Sequence, residues 1–141
     1  MFGLGTWIPG LYRLLAKPTG GSCSSRYCYS VWLRHLVRIH EAGINRKFEH
    51  VIEFGPGDSL GTGFAALISG SKSYTALDAH PYRNINLEIN IFDDIVDLFR
   101  RREPIPAEAE FARIRPTVKS YAFPEYIFNN VSLNNALSHD R

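Results

Sequence analysis

The chain has 141 residues, 45% of them hydrophobic and 21% charged, which allows one domain with a packed core and argues against disorder along its length. The 16 basic side chains stand against 14 acidic ones, a formal net charge of +2, so charge gives no footing for nucleic acid or an anionic membrane surface. The two cysteines, Cys23 and Cys28, have four residues between them and no second pair, which argues against a zinc knuckle and suits a reduced, cytoplasmic protein.

The N-terminal run MFGLGTWIPGLYRLLAK is apolar, but its charges, Arg13 and Lys17, come after the apolar residues, and glycine and proline interrupt it. That order is wrong for a signal peptide, and the run falls short of the roughly 20 residues of a membrane span. It reads as a short amphipathic segment that docks on the rest of the protein or on a surface. Residues 18–25, PTGGSCSS, form a loop, and Ser24 or Ser25 caps a helix that runs to about Glu41. Along it Cys28, Val31, Trp32, Leu36 and Ile39 recur at helical spacing, while Arg34 and Arg38 share the other face. Gly43 stands where a helix C-cap is wanted.

His50–Phe54, HVIEF, is apolar without clean alternation, which predicts a strand covered on both faces, as in a parallel sheet. Residues 60–69, LGTGFAALIS, predict a short helix ended by Gly70, and Ser73–Leu77 a second strand closed by Asp78. Strand, glycine turn, helix and strand make one βαβ unit, with a right-handed crossover expected. Residues 91–102, IFDDIVDLFRRR, predict a helix with Ile91, Ile95, Leu98 and Phe99 on one side. Asp93 and Asp94 fall early in it and Arg100 to Arg102 late, which suits the helix dipole. Pro104 and Pro106 stop it, residues 107–131 read as irregular with short helical turns, and Ser132 starts a last helix.

The stretch VIEFGPGDSLGTG, residues 51–63, carries the chemistry. Glycines between a buried strand and a helix let a ligand approach the backbone, and the helix N-terminus adds a positive field. An acid at the end of the next strand, about twenty residues on, can accept hydrogen bonds from ribose hydroxyls; Asp78 is so placed. The dinucleotide fingerprint G-x-G-x-x-G would put its third glycine at Leu60, whereas this chain has Gly55, Gly57 and Gly61. Glu53, two residues before the first glycine, suits a cationic ligand group and would repel a pyrophosphate.

E-F-G-P-G-D-S after an apolar strand, with the L-D of the second strand, resembles the first two motifs of class I S-adenosylmethionine-dependent methyltransferases. The resemblance implies a Rossmann-like fold, methyl transfer from S-adenosylmethionine, and roles carried residue by residue. Glu53 would serve the amino group of the methionine moiety. Gly55, Pro56 and Gly57 would let the backbone pass the cofactor, and Asp78 would bind the ribose hydroxyls. Where the family often has a third glycine, this chain has Ser59. The resemblance is specific over residues 50–80, and the later strands of such a fold find no counterpart in 83–141.

The chain is therefore expected to be the N-terminal portion of a methyltransferase, an incomplete α/β fold in three parts. Residues 1–49 form a helical segment, 50–102 a partial Rossmann-like cofactor-binding unit, and 103–141 an irregular or helical, proline-rich segment. By itself it is expected to bind cofactor weakly and to transfer no methyl group. The acceptor and the catalytic base are left unassigned.

Two other readings stay open. A nicotinamide- or flavin-dependent oxidoreductase uses the same βαβ logic, and a truncated, non-catalytic domain would act by association through an uncovered sheet edge and the apolar N-terminus. Among further side chains, His35 and His40 are badly spaced for a shared metal, and Cys28 reads as a packed thiol. Tyr27 or Tyr29 is a candidate to lie over the cofactor, His80 to line its adenine edge, and Arg100 to Arg102 read as a solvated helix end.

Overall fold

Two strands, β1 (His50–Phe54) and β2 (Ser73–Leu77), pair in parallel, with His50 beside Ser73 and Phe54 beside Leu77. The structure, a computed structural model, describes residues 21–79 and 84–138. In chain order the elements are α1 (Ser25–Glu41), β1, α2 (Gly61–Ile68), β2, α3 (Ile85–Arg100) and α4 (Asn130–Leu137). The expected strand–turn–helix–strand unit is present with both strands at the expected bounds. The N-terminal run MFGLGTWIPGLYRLLAK lies outside the described residues.

The strands alternate in burial. Val51, Glu53, Tyr74 and Ala76 face the helices, while Ile52 (60% exposed), Phe54 (79%) and Leu77 (49%) face outward. The expectation of a sheet covered on both faces is thus corrected: among the described residues, helices cover one face. Both faces of β1 carry apolar side chains, so hydrophobicity alone could not show which face is packed. The buried cluster joins α1, α2 and α3 with Ile105, Val118, Leu133 and Leu137. At its centre the Phe99 ring meets Tyr29 edge-on at 5.1 Å and Phe123 at 6.3 Å.

Helix α1 starts as expected, with the Ser24 hydroxyl accepting the Tyr27 N–H at 3.4 Å, and Gly43 takes φ 78° past its end. Arg34, however, is not on an outer face; it is 0% exposed. The segment after α3 folds over it, and its guanidinium donates to the carbonyls of Pro106 at 2.7 Å and Pro116 at 3.2 Å. It also lies 5.1 Å from the centre of the Tyr121 ring. Those partners are remote in sequence, so helical periodicity could not report them.

Helix α3 begins at Ile85, well before the expected start at residue 91. Asn84 caps it, its side-chain oxygen accepting the N–H groups of Asn86 and Leu87. Asp93 and Asp94 therefore sit in mid-helix, and the acid in the first turn is Glu88. The expected inner face of Ile91, Ile95, Leu98 and Phe99 is buried. The arginines at the end of α3 do more than face solvent. Arg100 donates to the Leu137 carbonyl at 2.9 Å, and Arg102 donates to Asn134 at 3.0 Å, so both hold α4. Helix α4 starts at Asn130 under an Asn129 cap, two residues before the expected Ser132. Between α3 and α4 the chain is irregular, with one 3₁₀ turn at Glu125–Ile127. No helix among the described residues is long and apolar enough to cross a membrane.

Candidate functional site

The turn after β1 is built by two left-handed glycines, Gly55 at φ 68° and Gly57 at φ 78°. The Gly55 N–H bonds to the Leu77 carbonyl at 2.8 Å, which ties the turn to the end of β2. A Cβ at position 55 would meet no atom within 4 Å, so bare backbone faces open space there. A Cβ at position 57 would stand 2.7 Å from the Ser22 hydroxyl.

Ser22 pins the turn from the other side. Its hydroxyl accepts the Asp58 N–H at 2.8 Å, and its carbonyl accepts the Ser59 hydroxyl. The Ser59 oxygen in turn accepts the Gly61 N–H at 3.2 Å, so Ser59 organises the start of α2. The Leu60 N–H at that helix start is met from α3, by the Glu88 carboxylate at 3.1 Å. Asp58 Oδ2 is buried with no hydrogen-bond partner among the described residues.

These pieces enclose a cleft of about 180 Å³. It is lined by Glu53, Gly55, Pro56 and Gly57, by Tyr27 and Val31 of α1, and by Gly21, Ser22 and Thr62. Sites that swallow a whole drug-sized ligand run to roughly 300–1,000 Å³, so this cleft has room for only part of such a molecule. Two further hollows lie at the opposite, N-terminal ends of the strands, around Arg46, Lys47 and Phe48, away from the turn.

Glu53 projects from the helix-facing side of β1, where Tyr74 Oη donates to its Oε2 at 2.5 Å. The Tyr74 ring lies against α2 at Gly63, where a Cβ would come within 2.3 Å of it. Burial, and then the hydrogen bond to Glu53, hold the Tyr74 hydroxyl well above the usual phenol range. Cys28 packs against Gly61 with its sulfur 3.9 Å from the Ser59 oxygen, and burial pushes its thiol up to about 11. A protonated, enclosed thiol at neutral pH is packing material rather than a nucleophile.

Of the expected site residues, Glu53, Gly55, Pro56 and Gly57 all line the cleft. Asp78 stands exposed at the end of β2, one residue past the Leu77 carbonyl that holds Gly55, and outside the cleft wall. Of the two candidate tyrosines, Tyr27 lines the cleft, whereas Tyr29 is fully buried with its hydroxyl donating to the Glu103 carbonyl at 2.7 Å. His35 Nδ1 lies 2.7 Å from the Val31 carbonyl, and the His40 ring lies 4.9 Å from that of Tyr126. No three His, Cys, Asp or Glu side chains converge as a metal would need among the described residues. His80 lies outside the described residues.

Sequence reasoning missed Ser22, Tyr74 and Glu88. Tyr74 was reachable in principle: once β1 and β2 pair with Val51 beside Tyr74, the tyrosine and Glu53 share a face as diagonal neighbours. Ser22 and Glu88 act across long separations and carry no local signal.

No family model, curated protein or solved structure matches this chain.

Proposed function

We propose that the chain binds S-adenosylmethionine at the end of β1 and serves methyl transfer to an oxygen, nitrogen or carbon nucleophile. The observation that carries this reading is that Glu53 lines the same cleft as the glycine turn, whose backbone is open at Gly55. A carboxylate in that position attracts an ammonium and repels a pyrophosphate. The open space at Gly55 admits a ligand against the main chain, and Asp78 at the end of the neighbouring strand is set for ribose hydroxyls. The cleft's limited volume fits one end of such a cofactor, the amino-acid end, with the nucleoside running out toward β2. When bound, the cofactor supplies an electrophilic methyl group. The residues here bind and orient it, which is a large part of such catalysis. The βαβ unit with helices on one face is read as part of a Rossmann-like methyltransferase fold, in a cytoplasmic protein.

Thermal denaturation with candidate cofactors tests the assignment, because a ligand that binds only the folded chain raises its Tm. S-adenosylmethionine and S-adenosylhomocysteine are expected to raise it, and nicotinamide or flavin dinucleotides to leave it unchanged. The reverse pattern overturns the proposal in favour of an oxidoreductase.

A second reading is favoured by a different observation, the outward sheet face of Ile52, Phe54 and Leu77. Ile52, Phe54 and Leu77 are uncharged and exposed, and a domain exposing them can act by self-association. Light scattering across a concentration series separates the two: growth in mass with concentration supports association, and a stable monomer counts against it.

A further inference from the structure

A carboxylate on a strand has a broad terminal torsion and does not choose its own orientation. At Glu53 a second side chain makes the choice. Tyr74 Oη donates to Glu53 Oε2 at 2.5 Å, and among the described residues this is the hydrogen bond the carboxylate accepts. The tyrosine is itself held. Its ring fills the space left by the absent side chain at Gly63, since a Cβ there would stand 2.3 Å from a ring carbon. Its strand position, beside Val51, sets the hydroxyl diagonally across from Glu53. A chain of three residues, Gly63, Tyr74 and Glu53, thus runs from α2 to the cleft wall.

The chemistry of that pair is one-sided. A phenol that donates one bond leaves the carboxylate its full negative charge and most of its acceptor positions. Such a carboxylate can still receive an ammonium, and the phenol has fixed the plane in which it does so. The hydroxyl keeps its proton well beyond neutral pH, because burial and Glu53 both oppose its ionisation. It therefore remains a donor under working conditions.

We infer that Tyr74 is a positioning residue that sets Glu53 to receive the ammonium of an amino-acid-bearing nucleoside, and so makes the cleft select such ligands over the bare nucleoside. This rests on the S-adenosylmethionine reading and goes a step past it, to what distinguishes one ligand from another. Gly63 belongs to the same device, since any side chain there would move the tyrosine ring.

The test is Tyr74→Phe, which keeps the ring and removes the donor, titrated with S-adenosylhomocysteine and with methylthioadenosine. The two ligands share the thioether nucleoside, but the second lacks the amino acid. The variant is expected to bind S-adenosylhomocysteine about tenfold more weakly, the scale of one hydrogen bond to a charged group. Methylthioadenosine should bind as it does to the parent chain. Gly63→Ala, which displaces the same ring, should show the same selective loss if Tyr74→Phe folds poorly. Equal weakening of both ligands, or no weakening of either, overturns the inference alone. A parent chain that binds neither ligand overturns the cofactor reading and this inference with it.

Discussion

The Glu88 carboxylate, 4% exposed, accepts the backbone N–H of Leu60 at 3.1 Å, so α3 caps the helix that comes after the glycine turn. Leu60 offers no capping side chain of its own. The start of α2, with its unpaired N–H groups, is therefore satisfied from 28 residues away. Glu88→Ala should lower stability by about 1–3 kcal/mol, the range for leaving a buried donor unmet. Urea denaturation checks this; a midpoint unchanged from the parent would show that the cap contributes nothing.

Arg34 gives a sharper contrast. Its guanidinium is fully buried and donates to the carbonyls of Pro106 and Pro116 and to the Ser30 hydroxyl. Arg34→Met keeps much of the volume but strands those acceptors, so a loss of about 2–4 kcal/mol is expected. Arg38→Ala, one turn on and exposed, should stay within about 0.5 kcal/mol of the parent. Equal effects of the two would remove Arg34 from its place as the clamp on the segment after α3.

That contrast also shows what the sequence could reveal. The two strands, the glycine turn and α1 are legible because each rests on local signals: an apolar run, Gly55 and Gly57, the Ser24 cap. The wall of the cleft is legible for the same reason, since Glu53, Gly55, Pro56 and Gly57 are neighbours in the chain. Long-range pairings are not. Helical spacing puts Arg34 on an outer face because nothing near it announces Pro106 or Pro116. The true start of α3 is hidden because its first turns, INLEIN, are half polar and lack the strong periodicity of the stretch from Ile91 to Phe99. The exposure of one sheet face among the described residues is hidden because Ile52 and Phe54 look like core residues in any apolar run.

The two cysteines should differ in reactivity. Cys23 is exposed, whereas Cys28 is buried and its thiol is pushed up to about 11 by that burial. Iodoacetamide on the native chain at mild alkaline pH should add one group, at Cys23, with the second added only on unfolding. Peptide mass spectrometry reads the positions; prompt modification of Cys28 would contradict the packing around Gly61 and Ser59.

Acid should weaken the fold in part through Glu110. Its carboxyl lies below the usual range because Arg26 donates two hydrogen bonds to it, at 2.7 and 2.8 Å. A folded-state value depressed in this way gives stability that is present above the unfolded value, near 4.3, and is lost as pH falls through the folded one. Both side chains are more than a third exposed, so solvent screening keeps the contribution small. The urea midpoint should fall as the pH drops below about 4. Glu110→Gln should fall less steeply over that window, and an identical slope would show that the pair adds nothing.

The most direct measurement is isothermal titration of S-adenosylmethionine into the 141-residue chain, beside Glu53→Gln. The expected result is saturable one-to-one binding, weaker in the variant. Absence of binding by the parent chain, or binding of a nicotinamide dinucleotide in its place, would contradict the proposed function.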